Sequence, residues 1–236
     1  MTILKILNLN LYNYNNWDER KLKIIDFIQK NNPDIIALQE VRDDVQFNKK
    51  GYNQAKQLNS RLNYPYYAFS EVTDKRKERP ERYDHYCIEG IAVLSKLPII
   101  KIEKEKLKKH PKDIHNCGNL YVRVQAEKTI DFLVVHFSNS DLFSLLHLKE
   151  TLKQIKSKKI TPIIAGDFNM WDYQKLYNLI KKDYKSSRQY KEYISYPPKK
   201  WTLDYILIPK EFKFKSFKCT GKGLSDHRAL IAEVNV

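Results

Sequence analysis

One stretch near the middle of the chain, residues 161–170, constrains the fold most strongly. It reads TPIIAGDFNM, in which an apolar run reaches Gly166 and two polar residues, Asp167 and Asn169, follow. The apolar run predicts a buried strand that ends in a turn at Gly166. Side chains two residues apart on an extended segment point to the same side, so we expect Asp167 and Asn169 to project together beyond the sheet edge. A carboxylate beside a neutral amide suits a hard metal ion and a phosphate oxygen.

The size and charge of the chain restrict the class of protein and of partner. Its 236 residues suffice for a sizeable core, and we expect a single domain over residues 1–236. Hydrophobic residues make up 42% of the sequence, which excludes a disordered composition. The net charge of +15 favours a polyanionic partner, nucleic acid before an acidic membrane surface. The alternative explanation of that charge is a contribution to solubility, or a biased genome that favours Lys, Asn, Ile and Tyr.

The cysteines and the apolar segments bear on where the protein resides. Cys87, Cys117 and Cys219 are odd in number and lack a metal-binding spacing, so we expect reduced cysteines of minor structural importance. No stretch approaches the length of a membrane span, and the N-terminus lacks the pattern of a signal peptide. We therefore expect a cytoplasmic monomer without stable membrane association.

Hydrophobic periodicity predicts about nine strands and about four helices. Residues 73–83 are dense in charge and predict an exposed loop, whereas residues 101–112 favour an edge strand followed by a loop. About nine strands and about four helices in one chain favour two packed sheets with helices on their outer faces. The other predicted strands are residues 3–10, 34–40, 66–69, 90–95, 130–137, 160–165, 203–208, 212–219 and 229–236, and the predicted helices are residues 18–30, 54–62, 142–156 and 171–182.

Several of these strands end in a side chain that is capable of chemistry. Taken singly, such residues are usually solvated loop acids or hydrogen-bonded core residues. Together they are harder to explain by folding alone, because burying each without a partner costs several kcal/mol. Gathered at one sheet edge, they would form a site for a cation and an anion. The residues are Asn10, Glu40, His136, Asp167, Asn169, Asp204, Asp226 and His227.

The order of these motifs resembles the endonuclease/exonuclease/phosphatase superfamily over nearly the whole chain. That superfamily includes pancreatic-type deoxyribonucleases, AP endonucleases, tyrosyl-DNA phosphodiesterases, neutral sphingomyelinases and inositol polyphosphate 5-phosphatases. The resemblance implies an α/β fold, a four-layer sandwich of two mostly antiparallel sheets flanked by helices, and a divalent-metal-dependent phosphodiester hydrolase. The motifs that carry it are Asn10, Leu-Gln-Glu40, Gly-Ile-Ala-Val-Leu-Ser95, His136, Gly-Asp-Phe-Asn169, Leu-Asp204-Tyr and Ser-Asp-His227.

The resemblance also implies roles for the residues around the metal and the leaving group. Glu40, with Asn10 beside it, would hold Mg²⁺, with Mn²⁺ as an alternative, because Mg²⁺ prefers few carboxylates together with water and substrate oxygens. Asp226 would add a metal or hydrogen-bond contact. His136 would be an imidazole near the leaving group. Glu89 matches an acid that pairs with this histidine in pancreatic-type deoxyribonucleases, although a solvated loop acid explains it equally well.

Four further residues would act on the attacking water and the phosphate. Asp167 would orient or deprotonate the water, and the amide NH₂ of Asn169 would hold a non-bridging oxygen. His227 would stabilise the pentacovalent state as an imidazolium, or serve as the base. Asp204 would hold the ring of His227 and raise its pKa.

The substrate is the open part of the assignment. Net positive charge favours a nuclease or DNA-repair phosphodiesterase, with DNA preferred over RNA, and residues 193–201 would grip a strand by stacking unless they are an ordinary exposed tyrosine cluster. AP endonucleases often carry tyrosine in place of His136, which argues against that subgroup, although Trp201 resembles one of their tryptophans. The alternative is a phosphohydrolase of a phospholipid or inositol phosphate, for which no membrane-facing apolar hairpin is found. A catalytically dead scaffold is disfavoured because every expected motif residue is present.

Overall fold

The computed structural model describes residues 2–236, which form two six-stranded sheets with helices packed on them. The strands are β1 (Ile3–Asn10), β2 (Ile35–Asp44), β3 (Tyr66–Asp74), β4 (Cys87–Ser95), β5 (Ile99–Lys106), β6 (Gly118–Gln125), β7 (Thr129–His136), β8 (Ile163–Asp167), β9 (Tyr184–Ser186), β10 (Asp204–Pro209), β11 (Lys213–Thr220) and β12 (Ala229–Asn235). The helices are α1 (Trp17–Asn31), α2 (Gln54–Leu62), α3 (Lys75–Glu78), α4 (Asp141–Ser157), α5 (Tyr173–Ile180) and α6 (Ser187–Tyr190), with a 3₁₀ turn at Pro197–Lys199.

The two sheets share one plan. The strand order is β11-β12-β1-β2-β4-β3 in the first sheet and β5-β6-β7-β8-β10-β9 in the second. Each has a single parallel pair near its middle, β1 with β2 and β7 with β8, joined through α1 and α4 respectively, and its other neighbours are antiparallel. A helical crossover is what a parallel connection requires. The fold is therefore the four-layer α/β sandwich that the sequence predicts.

Alternation along the central strands separates the layers of the core. In β1, Leu4 and Ile6 pack between the two sheets, while Leu7 and Leu9 pack on the helical side. In β8, Ile163 and Ala165 lie between the sheets in the same way. Both faces of these strands are buried, which is why they appear in the sequence as continuous apolar runs.

Three features differ from the sequence predictions. Strands β6 and β9 were not predicted, and residues 73–83 are not a plain loop, because they hold the end of β3 and the short helix α3. Gly166 is not the turn that ends its strand but lies inside β8, paired with Val135 of β7. A Cβ atom at Gly166 would come within 2.0 Å of the Val135 carbonyl oxygen, so only glycine fits this close approach. Within residues 2–236, no helix is both long and apolar enough to cross a membrane.

Candidate active site

The candidate site forms where the face between the two sheets changes from apolar to polar. Position 10 of β1 continues the face that carries Leu4 and Ile6, and position 167 of β8 continues the face of Ile163 and Ala165. Asn10 and Asp167 therefore meet across the sandwich, where Asn10 Nδ2 donates to Asp167 Oδ2 at 3.1 Å. Residues 157 positions apart in the sequence are joined here.

Strand pairing brings two more predicted residues to Asp167. His136 is its register partner in β7, and Asp204 is its register partner in β10. His136 Nε2 lies 3.8 Å from Asp167 Oδ2. Asp204 is fully buried, and its Oδ2 accepts a hydrogen bond from His227 Nδ1 at 2.8 Å.

His227 is held between two carboxylates. Its Nδ1 is committed to Asp204, and its Nε2 lies 3.7 Å from Asp167 Oδ2. Burial acts to lower the pKa of His227, but the charges of Asp204 and Asp167 outweigh it and raise the pKa to about 10. The ring is therefore an imidazolium at neutral pH, with Nε2–H as its available donor.

Asp167 is a buried carboxylate with hydrogen bonds to both of its oxygens. It is 1% exposed, its Oδ1 accepts the Asn169 backbone N–H at 2.9 Å, and its Oδ2 accepts from Asn10. Burial and the repulsion of Asp204 raise its pKa to about 6, against the lowering effect of His227. Ligand-type atoms of Asp167, Asp204 and His227 lie within 4.8 Å of one another, a spacing that could hold a metal ion.

Asn169 lies in a turn, and not in the extended segment predicted from the sequence. Its φ is +51°, in the left-handed region that asparagine tolerates better than most residues. The bond from its N–H to Asp167 Oδ1 closes a turn of the Asx type. Its Nδ2 donates to the Phe137 carbonyl at 2.9 Å, which leaves the second amide hydrogen for the cavity.

Glu40 occupies a distorted position in β2. The pairing of β2 with β4 shifts register between Leu38 and Val41, and Glu40 within this bulge has a φ of +51°. A bulge re-aims a side chain, and here it turns Glu40 into the cavity. A left-handed conformation of a residue other than glycine costs about 1–2 kcal/mol, so the packing around it must hold this strain in place.

The surroundings of Glu40 are suited to a cation. Its oxygens accept hydrogen bonds from Asn10 Nδ2 at 3.1 Å and from Asn13 Nδ2 at 2.6 Å. Burial and the charge of Glu89 raise its pKa, and no ion pair to it is found within residues 2–236. A carboxylate that faces a cavity without a cationic partner fits a bound divalent ion.

Asn10 does not have the orientation of the predicted metal ligand. Its Oδ1 accepts the Tyr12 N–H at 2.9 Å, which fixes the amide so that the NH₂ group faces Glu40 and Asp167. An NH₂ group cannot ligate a metal, so Asn10 instead bridges two carboxylates. Asp226, the other predicted metal contact, is half-buried, lines the cavity and accepts a hydrogen bond from Ser225 Oγ.

Glu89 does not pair with His136 as the resemblance implied. Its carboxylate contacts Arg42 Nη2 at 3.0 Å and Lys75 Nζ at 3.1 Å. These two cations outweigh its burial and hold the pKa of Glu89 below its usual value. The carboxylate nearest to the His136 ring among the described ion pairs is instead that of Asp167.

These residues open into a cavity of about 400 Å³. On one side the rings of Trp171 and Trp201 stack, with centroids 4.9 Å apart and an interplanar angle of 24°. Lys199 Nζ lies 4.6 Å from the centre of the Trp201 ring. The arginine and lysine side chains that line the cavity are Arg42, Lys75, Arg79, Arg82 and Lys199.

Sequence reasoning missed two buried amides behind the site. Asn8 and Gln39 are both fully buried, and Gln39 Nε2 donates to Asn8 Oδ1 at 2.9 Å. Asn8 Nδ2 lies 3.5 Å from Asp204 Oδ1, so the pair supports the carboxylate that holds His227. The signal was present in the sequence: two amides stand inside apolar strands, where each needs a partner.

It also missed Arg20 of α1, a buried guanidinium without a carboxylate partner in the described chain. Arg20 donates to five backbone carbonyls, at distances between 2.6 and 3.3 Å. Four belong to the loop after β1, and the fifth, that of Leu224, belongs to the loop that leads to His227. Arg20 thus ties together two loops that border the site.

Comparison with known proteins places these observations in one family. The sequence profile described as Endonuclease/Exonuclease/phosphatase family matches residues 7–227. No curated protein matches the sequence. Among solved structures, an endonuclease/exonuclease/phosphatase family protein from Leptotrichia buccalis C-1013-b aligns with a TM-score of 0.79 and 19% identity, over 99% of this chain and 100% of that one.

Two other solved structures show the same fold at similar distance. A humanized TDP2 of D. rerio aligns with a TM-score of 0.75 and 16% identity, over 99% of both chains. The mannosyl-6-phosphatase Bt3783 of Bacteroides thetaiotaomicron aligns with a TM-score of 0.69 and 16% identity, over 99% of this chain and 100% of that one. The chain belongs to the endonuclease/exonuclease/phosphatase family of hydrolytic phosphoesterases.

Proposed function

We propose that this protein is a divalent-metal-dependent phosphodiesterase that acts on nucleic acid, as a nuclease or a DNA-repair phosphodiesterase. The observation that carries the proposal is the convergence of Glu40, Asp167 and His227, from distant parts of the chain, on one cavity. Hydrolysis of a phosphate ester needs charge neutralisation at the phosphate and a water positioned in line with the leaving oxygen. The carboxylates of Glu40 and Asp167 and the imidazole of His227 are groups that can meet both requirements.

Glu40 is the residue proposed to hold the metal, with Asp226 as a further contact. A bound Mg²⁺ or Mn²⁺ ion would polarise the phosphate and stabilise the leaving oxygen. Glu40 is supported for this role by its position in the cavity and by the lack of a cationic partner within the described chain. Asn10 would keep Glu40 and Asp167 at a fixed separation by donating to both.

The protein's own side chains would then divide the acid and base work. Asp167 would accept or orient the proton of the attacking water, since it is a carboxylate held by fixed donors. His227, fixed by Asp204, would direct its Nε2–H at the charge that develops on the phosphate. Of the two roles considered for His227, charge stabilisation is favoured over that of base because the ring is held between two carboxylates.

Two further residues are proposed to contact the phosphate and the leaving group, and a third to act indirectly. Asn169 would donate its free amide hydrogen to a non-bridging oxygen. His136 would lie near the leaving oxygen. Glu89 would act on substrate only indirectly, by holding Arg42 and Lys75 at the cavity.

The rim of the cavity supports a nucleic acid substrate. Its cationic side chains match backbone phosphates, and neither Arg79 nor Arg82 is in an ion pair within the described residues. The stacked Trp171 and Trp201 offer an aromatic surface to an unpaired base, and stacking on such a surface is worth about 1–3 kcal/mol per base.

A second candidate is a phosphohydrolase of a small or lipid-linked phosphate ester. The observation in its favour is that one structure with the same fold is named a mannosyl-6-phosphatase. A phospholipid or an inositol phosphate belongs to the same alternative. These substrates would use the same metal and the same His227, and differ only in what the rim contacts.

One panel separates the candidates. Purified protein with Mg²⁺ or Mn²⁺ is incubated with plasmid, single-stranded DNA, RNA, an abasic duplex, sphingomyelin, an inositol polyphosphate and mannose 6-phosphate. We expect cleavage of nucleic acid that a chelator abolishes. Cleavage confined to the lipid, the inositol phosphate or the sugar phosphate would overturn the nucleic acid proposal and leave the phosphoesterase assignment intact.

Two variants test the residues. His227→Ala should abolish activity while circular dichroism remains that of a folded protein; its thermal midpoint should fall below that of His110→Ala, a histidine substitution outside the cavity, because the buried Asp204 carboxylate loses its partner. Glu40→Gln should raise the metal concentration needed for half-maximal activity. An unchanged metal titration would remove Glu40 from the metal site, and joint loss of fold and activity would make His227 a core residue.

A further inference from the structure

A second set of converging metal-binding side chains lies outside the site described above. Asp44, at the end of β2, is the register partner of Cys87, at the start of β4, and His85 stands two residues before Cys87. Asp44 is 1% exposed and Cys87 is fully buried. The sheet register holds Asp44 and Cys87 opposite each other, and His85 lies in the bend that leads into β4.

The donor atoms of this cluster lie close together, although Asp44 Oδ1 also accepts the Gln46 backbone N–H at 3.0 Å. Asp44 Oδ1, His85 Nε2 and Cys87 Sγ all lie within 4.8 Å of one another. His85 Nε2 is 3.0 Å from Asp44 Oδ1, yet this buried nitrogen makes no hydrogen bond. A tetrahedral ion with bonds of about 2.0–2.3 Å separates its ligand atoms by roughly 3.3–3.7 Å, which falls within the 4.8 Å limit on the spacing of this cluster.

The other ring nitrogen of His85 is occupied in the way metal-binding histidines require. Nδ1 lies 2.9 Å from Asp84 Oδ1. A carboxylate bound to Nδ1 places the ring proton there and leaves the lone pair of Nε2 free. The Nε2 lone pair of His85 and the Asp44 carboxylate oxygen then lie 3.0 Å apart, beside the Cys87 thiol. A cation between these two bases would stabilise the arrangement.

We propose that Asp44, His85 and Cys87 bind zinc, or a divalent transition metal of similar character. The donor set decides the class of ion: thiolate and imidazole suit Zn²⁺, whereas Mg²⁺ and Ca²⁺ take oxygen ligands. Binding replaces the proton of the Cys87 thiol, so one proton is released for each ion bound. The proposal concerns a structural site and is independent of the proposed function of the cavity.

The position of this site gives it a defined effect on the fold. The ion would fasten the end of the connection between α3 and β4, which carries Arg79, Arg82 and Tyr83 along the cavity. The His85 ring already packs edge-on against Tyr83, with centroids 5.9 Å apart. Zinc would therefore stabilise the cationic side of the cavity without touching the residues proposed for catalysis.

Cobalt substitution tests the proposal without an activity assay. Reduced protein, freed of metal by chelation, is titrated with Co²⁺ and followed by absorption. We expect a saturable thiolate-to-cobalt charge-transfer band in the near ultraviolet that disappears when Zn²⁺ is added. Zn²⁺ should also raise the thermal midpoint. Absence of the band would overturn the proposal.

Matched variants locate the site. Cys87→Ser and His85→Gln should lose both the band and the Zn²⁺-induced rise, while Cys117→Ser and Cys219→Ser should keep both. A band retained in Cys87→Ser would refute the assignment. Should Cys87→Ser fail to fold, His85→Gln decides alone, since that ring is partly exposed at 15% of its side-chain surface and its removal leaves the sheet intact.

Discussion

The tight contact between β7 and β8 gives the most quantitative prediction, for Gly166→Ala. An added Cβ atom would lie 2.0 Å from the Val135 carbonyl oxygen and 2.8 Å from Val135 Cγ2. Since ordinary contact begins near 3.4 Å, the two strands must separate by about 1.4 Å at this point. The contact is with backbone oxygen inside a sheet, so no side-chain rotation relieves it.

The cost follows from the two interactions that are disturbed. Overpacking of a close-packed core costs about 1–3 kcal/mol. Separation of the strands also weakens one or two neighbouring ladder bonds, such as Phe137 N–H to the Asp167 carbonyl at 3.0 Å, at about 1 kcal/mol each. We therefore expect Gly166→Ala to lower the free energy of unfolding by about 2–5 kcal/mol, a large part of the 5–15 kcal/mol typical of a domain.

Urea unfolding followed by tryptophan fluorescence measures this value, with Gly51→Ala as the matched control. Gly51 has a φ of +82° and nothing within 4 Å of an added Cβ, so its substitution should cost only the backbone strain of about 1 kcal/mol. A loss for Gly166→Ala no larger than that for Gly51→Ala would refute the argument. Because His136 and Asp167 are the next register pair, a displacement near 1 Å should also reduce activity about 100-fold.

Three other predictions follow from the site and its supports. Arg20→Lys should lower the free energy of unfolding, measured by urea titration, by about 3 kcal/mol. The reason is that an ammonium group has three donors, whereas the guanidinium binds five carbonyls. Equal stability of the two proteins would contradict this prediction. The joint variant Trp171→Ala and Trp201→Ala should raise KM for single-stranded DNA and leave a small phosphodiester unaffected; an equal effect on both would argue against stacking. His147 is 1% exposed, and burial lowers its pKa. The unfolded chain therefore binds a proton at His147 near pH 6.5, whereas the folded chain does not. The free energy of unfolding should fall as the pH drops below that value, and it should fall less steeply in His147→Gln.

Much of the site follows from alternation, which the sequence displays. Once residues 3–10 and 160–165 are assigned as strands, parity places Asn10 and Asp167 on the face that packs between the sheets. The same alternation places Asn8 on this face, although it lies inside the strand rather than at its end. The fold class and the family are predictable for a similar reason, since strand patterns and motif order are properties of the linear chain.

Alternation fails at Glu40 and Asn169, and the failure has a physical cause. Both have a φ of +51°, which breaks the period of two. Glu40 is turned by a bulge in the pairing of β2 with β4, and Asn169 by a turn closed on the Asp167 carboxylate. Neither conformation is a preference of the residue itself, because each depends on a partner that is distant in sequence or on the end of a strand.

The sequence by itself determined which faces are buried and which chemical groups stand at the strand ends, because periods of 2 and 3.6 residues and motif order are encoded locally. Only the tertiary structure decided the partners. It paired Glu89 with Arg42 and Lys75, turned the amide of Asn10 toward two carboxylates, and gathered Asp44, His85 and Cys87. These contacts depend on strand register and on how the two sheets pack, which no local pattern specifies.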